Sequence, residues 1–190
     1  MRSEKIKMLA GELYDPFDPE LSAERLRSRE HCHAFNATAQ GDAAKRGALL
    51  SALLKAATDA TICSPFFCDY GYNIHLGANA YFNFNCVVLD VLPVTVGRNA
   101  LFGPGVHIYT AMHPMSARER RSGLEFGRPV TIGDDVWVGG GVIICPGVHI
   151  GSGSVIGAGS VVTRSIPAGV FAAGNPCRVI RRIEDPPAIE

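Results

Sequence analysis

Six histidines, at positions 31, 33, 75, 107, 113 and 149, are the side chains best suited to moving a proton near neutral pH, where an unperturbed imidazole titrates. His113 is set apart by its downstream neighbours. Pro114 fixes the direction of the chain and a long charged stretch begins at once, a setting that can enclose a reactive group. The expected task of His113 is to take a proton from a hydroxyl, and a base in that role needs an orienting partner. Asn83, Asn85 and Asp90, in Tyr81-Phe-Asn-Phe-Asn-Cys-Val-Val-Leu-Asp90, are the polar candidates, although asparagine also serves simply to turn a corner. His31-Cys32-His33 looks like a metal cluster, but consecutive residues on a helix point in different directions, so no metal is expected there. Gly151-Ser-Gly153 does not open a helix after a conventional strand, and no Gly-x-Ser-x-Gly elbow occurs, which argues against a dinucleotide loop and a serine hydrolase.

The elements that must carry these groups are announced by a six-residue period. Aliphatics fall at Ile132, Val138, Ile144, Ile150, Ile156 and Val162, with glycine next at 133, 139, 151 and 157. The same register runs earlier through Leu76, Phe82 and Val88, slips by two residues across 93–95, and continues at Val96, Phe102 and Ile108. Six suits neither a helix nor a long strand, but it suits very short strands joined by tight turns. Three such strands form one triangular coil, and stacked coils satisfy each other's backbone edges around a dry axial core. The twelve hexads correspond to about four coils. His75, His107, His113 and His149 all hold the sixth place of a hexad, read as an outward corner. Residues 114–131 break the register and form a long excursion rich in charge (Arg118, Glu119, Arg120, Arg121, Glu125, Arg128). If it is a pure insertion, His75, His113 and His149 share one column.

Ahead of the repeats, Asp18-Pro19 predicts a helix start running to about Phe35, and Asp42 caps a second helix with Leu50, Leu53, Leu54 and Ala57 on one face. These helices are expected to cover the open end of the solenoid. The organisation is therefore a helical cap at 1–60, a β-helix at 61–167 with the 114–131 loop, and a basic tail at 168–190, all one domain. Composition agrees: 190 residues, 47% hydrophobic and 19% charged, make one folded unit. Lys plus Arg and Asp plus Glu each number 18, so no overall charge draws the chain to nucleic acid or an anionic membrane. No apolar stretch approaches the ~18 residues of a membrane span, and a cytoplasmic location is expected. Six cysteines without a Cys-x-x-Cys read as small buried hydrophobes.

Several separate segments carry a more specific resemblance. Met8-Leu-Ala-Gly-Glu-Leu-Tyr-Asp15, Asp69-Tyr-Gly-Tyr-Asn-Ile-His75, Tyr81-Phe-Asn-Phe-Asn85, Gly105-Val-His-Ile-Tyr-Thr-Ala-Met-His-Pro114, Pro129-Val-Thr-Ile-Gly-Asp-Asp-Val-Trp-Val-Gly139 and Gly174-Asn-Pro-Cys-Arg-Val-Ile180 are similar to the hexapeptide-repeat sugar O-acetyltransferases, the maltose and galactoside acetyltransferase family. The likeness spans nearly the whole chain. It implies a mainly β fold, the left-handed parallel β-helix with an N-terminal helical cap; the handedness comes from the resemblance, since periodicity cannot supply it.

The resemblance further implies transfer of acetyl from acetyl-coenzyme A to a sugar hydroxyl by direct attack, with His113 as the general base and no metal. The oxyanion that forms needs a donor, and the backbone N–H of Gly140, where galactoside enzymes often carry serine, matches the family's position. Asp15, Asp69 and Asn83 match acceptor contacts. Where galactoside enzymes have two acids this chain reads Asp90-Val91, leaving Asp90 as the one acid that could substitute. Coenzyme A contacts fall on Gly140, Ala158, Thr163, Arg164, Arg178 and Arg181, small residues admitting the pantetheine arm and arginines suiting phosphate. A homotrimer with active sites between subunits is implied, Trp137 bordering either the coenzyme groove or a neighbour. Two readings of other classes stand beside it: a zinc hydro-lyase of the γ-carbonic anhydrase kind, drawing on His107, His113 and His149, and a hexapeptide scaffold without chemistry.

Overall fold

The computed structural model describes residues 2–184. Three helices precede the solenoid: α1 (Glu4–Leu9), α2 (Pro19–Ala37) and α3 (Ala43–Leu54). Asp18 caps α2, its carboxylate accepting from the N–H groups of Glu20 and Leu21, with Pro19 in the first turn; Asp42 caps α3 through Lys45 N–H. Cys32 and Phe35 of α2 and Leu50, Leu53 and Leu54 of α3 are buried against Ile62 and Phe66 of the first coil, so the two helices close the apolar axis where stacking begins.

From Thr61 onward the chain is a left-handed parallel β-helix. Its first face stacks Thr61–Ile62, Tyr81–Phe82, Leu101–Phe102, Trp137–Val138, Val155–Ile156 and Val170–Ala173, all parallel, giving about six turns. The second face stacks Phe66–Cys68, Cys86–Leu89, His107–Tyr109, Ile143–Ile144 and Val161–Val162, and the third Ile74–Leu76, Val94–Val96, Val130–Ile132 and His149–Ile150. There are more turns than the hexads suggest, because the solenoid outruns its periodic stretch at both ends. The first coils take longer turns, Thr61 pairing with Tyr81 and Tyr81 with Leu101, and the last is shortened, Val155 pairing with Phe171. The segment after residue 167 thus continues the first face before Arg178–Arg182 folds back antiparallel upon it. Residues 185–190 of the expected basic tail lie outside the described residues.

The repeating aliphatics point inward, and Phe66, Phe82 and Phe102 fill the wider early coils, with Phe82 and Phe102 stacked at 4.1 Å between ring centroids. Corners are made by left-handed residues. Asn85 (φ 62°), Gly105 (φ 66°), Gly141 (φ 68°) and Gly159 (φ 70°) occupy one stacked column, so Asn85 is a turn residue and does not orient a base.

The sixth hexad place is an outward-facing position on a strand, not a corner. His75 and His149 sit there on the third face, in line with Thr95 and Thr131. His113 is not in their column; Thr131 holds that register position. The excursion opens earlier than 114, because the Thr110 carbonyl accepts from Arg128 N–H at 3.0 Å and pinches off residues 111–127 as a loop. Inside it, Ala111–Met112 pairs antiparallel with Phe126–Gly127, and a short helix covers Ala117–Arg120.

Candidate active site

The hairpin inside the loop places His113 and Glu125 opposite each other. Met112 pairs with Phe126, so the next residues outward on the two arms face across the hairpin. His113 Nε2 lies 3.7 Å from Glu125 Oε1. Glu125 is itself fixed by Tyr14: their backbones form a two-way bridge at 2.9 and 3.0 Å, and the Tyr14 hydroxyl donates to Glu125 Oε2 at 3.0 Å. One carboxylate oxygen is therefore committed to Tyr14 and the other faces the imidazole. Burial, reinforced by the neighbouring carboxylate, pushes the Tyr14 hydroxyl well above its ordinary pKa, so it stays a donor.

His113 and Glu125 open onto a cavity of about 350 Å³ that Asp69, Arg25, Arg29 and Phe17 also line. Arg25 donates to the Tyr70 hydroxyl at 2.7 Å and to the Pro16 carbonyl, tying α2 to both the first coil and the Asp15–Asp18 turn. Asp69 is half buried; loss of solvation raises its pKa, Glu125 adds to the rise, and Arg25 and Arg29 oppose it. Asp15 is exposed beside the cavity, its Oδ1 accepting from Phe17 N–H at 2.9 Å.

Asp90 does not reach this cavity. It is wholly buried, with Oδ1 accepting from Asp69 N–H at 3.0 Å and Tyr70 N–H at 2.9 Å and Oδ2 from Asn73 N–H at 3.3 Å. The expectation of an acceptor contact at 90 is corrected: Asp90 holds from beneath the turn that presents Asp69. Burial pushes its pKa up to about 7, and the Asp69 charge contributes. Val91 is equally buried, packed with Met8, Tyr14, Leu21 and Tyr70.

The remaining expected residues divide between two corners of the coil. Asn83 shares its column with Gly103, Gly139 and Gly157, and Gly140 and Ala158 sit one place further on, at the corner between the first and second faces. Thr163 and Arg164 follow Val161–Val162 at the other corner, the one from which the His113 loop leaves two coils earlier. Stacking puts them about 10 Å along the axis from that loop. The corners are separated by a full six-residue face, about 20 Å at full extension. Asn83 therefore does not meet His113 within one chain, and its Oδ1 is engaged by Phe84 N–H at 2.8 Å. Arg178 and Arg181 project from the exposed terminal strand beside the first face.

The Gly140 corner has the features of a backbone donor site. Gly139 N–H donates to Ile156 and Gly141 N–H to Pro104, whereas Gly140 N–H meets no acceptor among the described residues. The Ala158 N–H, one coil on, is likewise without an acceptor there. A Cβ on Gly140 would come to 3.1 Å from the Pro104 carbonyl, so the bare residue suits the close turn.

The other histidines are dispersed. His107 Nδ1 is paired with the Tyr109 hydroxyl at 2.5 Å on the second face, and His149 faces outward on the third. Among the described residues no three of His, Cys, Asp and Glu gather in a metal-binding group, His31-Cys32-His33 included. All six cysteines are free thiols and four are buried. Among the described residues no helix is long and apolar enough to cross a membrane.

The sequence singles out His113 and Asp69 but not Glu125, Tyr14 or Arg25. Glu125 is visible there only as one charge among several in the excursion, and its pairing depends on a hairpin register that no turn signal marks.

Comparison with known proteins agrees with this architecture. The maltose acetyltransferase hexapeptide capping motif matches residues 7–58, and the bacterial transferase hexapeptide family, as six repeats, matches residues 129–164. Nodulation protein L of Rhizobium meliloti (strain 1021) is 51% identical over 180 residues, covering 94% of this chain and 98% of its own. A maltose O-acetyltransferase structure from Clostridium difficile 630 superposes with a TM-score of 0.94 at 47% identity, covering 97% of this chain and 99% of that one. A galactoside acetyltransferase in complex with coenzyme A superposes with a TM-score of 0.89 at 38% identity, covering 97% and 93%. With capping helices, hexapeptide coils and full-length likeness in agreement, the chain belongs to the maltose and galactoside acetyltransferase family of hexapeptide-repeat acetyltransferases.

Proposed function

We propose that this acetyltransferase moves acetyl from acetyl-coenzyme A to a hydroxyl of a sugar such as maltose or glucose, with His113 as general base. The observation that carries the reading is the His113–Glu125 pair opening onto a polar cavity with Asp69 and Arg25. Glu125 faces the imidazole and orients it, and His113 takes the hydroxyl proton as the oxygen attacks and can return it to the departing thiolate. Asp69 and Arg25 offer acceptor and donor groups to the other sugar hydroxyls. The coenzyme thioester supplies the activated acetyl group; the free N–H of Gly140 is placed to receive negative charge on its carbonyl oxygen. The small corner residues Gly140 and Ala158, with Thr163, Arg164, Arg178 and Arg181, are assigned to the coenzyme, the arginines to its phosphates.

The division of these groups between two corners supports assembly as a homotrimer, one subunit's Asn83 and Gly140 corner meeting the His113 corner of the next. Surface chemistry supports it too. The first face turns Tyr81, Leu101, Trp137, Val155 and Phe171 outward, with Leu101 46% and Trp137 55% exposed, whereas the third turns out His75, Thr95, Thr131 and His149. An apolar row of this kind is suited to a partner.

The test is release of free thiol from acetyl-coenzyme A against a panel of sugars, with His113→Ala alongside and a chelator in parallel. Sugar-dependent release, lost in the variant and indifferent to chelation, is expected. Failure of every sugar to support release would refute the acceptor class, and loss on chelation would refute the metal-free mechanism.

A further inference from the structure

We propose that Phe17 is a stacking platform for the acceptor, its ring packing on the apolar face of a pyranose held over the His113 cavity. This rests on the sugar-acceptor reading and names a specificity residue within it. Phe17 lines the cavity with His113 and Asp69, yet it is 77% exposed. A phenyl ring left in water beside a polar pocket forgoes burial that its neighbours could have supplied.

The ring is held out by an ordered turn. Asp15 Oδ1 accepts Phe17 N–H at 2.9 Å, Asp15 N–H is held by Glu4 Oε2 at 2.7 Å, and Asp18 N–H returns to the Asp15 carbonyl at 3.2 Å. Pro16 restricts the backbone just before the ring, and its carbonyl is taken by Arg25. Asp18 then caps α2. The turn is thus fastened to α1, to α2 and, through Arg25 and Tyr70, to the first coil.

A sugar presents hydroxyls around its rim and C–H groups on its ring faces. The cavity answers the first with Asp69 and Arg25 and the second with Phe17, the mixture of one apolar surface and few polar groups that orients small ligands. Asp15 then acts on the acceptor through Phe17 as well, by setting the turn that aims the ring. A ring at this edge also favours acceptors with a second sugar unit, whose C–H face extends beyond the reacting ring.

The experiment measures KM and kcat for glucose and for maltose, KM for acetyl-coenzyme A, and the oligomeric state, in the unsubstituted protein, Phe17→Ala and Phe17→Trp. The expected result for Phe17→Ala is a KM for maltose raised roughly tenfold, with a smaller effect on glucose, the scale of one lost aromatic contact. The change falls on acceptor KM rather than on kcat, acetyl-coenzyme A KM is unmoved, and Trp restores maltose binding. An unchanged acceptor KM in Phe17→Ala overturns the inference while leaving the acetyltransferase reading intact. A shifted oligomeric state with both KM values rising together overturns it in favour of a subunit contact. If the unsubstituted protein acetylates no sugar, the acceptor reading and the platform fall together.

Discussion

His113 Nε2 and Glu125 Oε1 stand 3.7 Å apart on facing arms of the loop hairpin, with the second Glu125 oxygen bound to the Tyr14 hydroxyl at 3.0 Å. The imidazole thus faces a carboxylate from its own loop, and that carboxylate is anchored to the N-terminal segment. His113, Glu125 and Tyr14, the last remote from the other two in sequence, are joined by one short hairpin and one backbone bridge.

Replacing His113 by Ala is expected to lower kcat by roughly 10² to 10⁴, the usual scale for loss of a general base, with little change in coenzyme affinity. Glu125→Gln keeps the Tyr14 bond but removes the charge beside the imidazole, and should lower kcat by roughly 10- to 100-fold. Because the two act as a unit, the double variant should be little slower than His113→Ala alone, a comparison made by steady-state kinetics. Multiplying effects would separate Glu125 from the base.

The coils are legible in the sequence because inward positions must be small or branched and the turn glycines recur with them, a local pattern. The first coil falls within the expected 61–167 span but shows no hexad of its own, since Phe66 and Cys68 fill inward places that lack the Ile-Gly repeat. Asp90 reads as a surface contact because aspartate is rarely fully buried; only the three backbone N–H groups converging on it explain its place inside. Glu125 cannot be paired with His113 from spacing, because the intervening loop residues separate it from the register that joins them.

Asp90 makes the fold pH-dependent. Its pKa stands at about 7 in the folded protein, against ~3.9 for an unperturbed aspartate. The folded state therefore holds this proton through the interval while the unfolded chain has released it, so stability is fullest below about pH 4 and falls as pH rises toward 7. The component amounts to at most about 4 kcal/mol. Asp90→Asn is neutral throughout and keeps the Oδ1 acceptor; urea unfolding at fixed protein concentration should show a flatter pH profile for it over that interval. Asp69, raised in the same direction, contributes to both proteins and cancels in the difference. Identical profiles would remove the titration from Asp90.

Arg178→Ala is expected to weaken coenzyme A binding roughly 10-fold, the scale of one charged hydrogen bond to phosphate, with acceptor KM unaffected. Because Arg178 is exposed, added salt should narrow the gap between variant and unsubstituted protein. Calorimetric titration with coenzyme A checks both, and an unchanged dissociation constant would take Arg178 out of the coenzyme site.

Gly103 and Gly105 flank one turn and separate backbone strain from damage to the Gly140 donor. A Cβ at Gly103 would lie 2.5 Å from Gly140 N and 2.9 Å from Gly140 Cα, so Gly103→Ala must push the next coil away at that N–H. Overpacking of this kind costs about 1–3 kcal/mol. At Gly105 a Cβ meets nothing within 4 Å, but φ is +66°, so Gly105→Ala costs about 1–2 kcal/mol through the backbone alone. The two variants should therefore melt at similar temperatures while differing in chemistry: Gly103→Ala loses kcat by tenfold or more, the direction seen when an oxyanion donor is displaced, and Gly105→Ala keeps it. Equal kcat in two equally destabilised variants would mean that the Gly140 N–H does not serve the reaction, whatever its freedom from a partner in the fold.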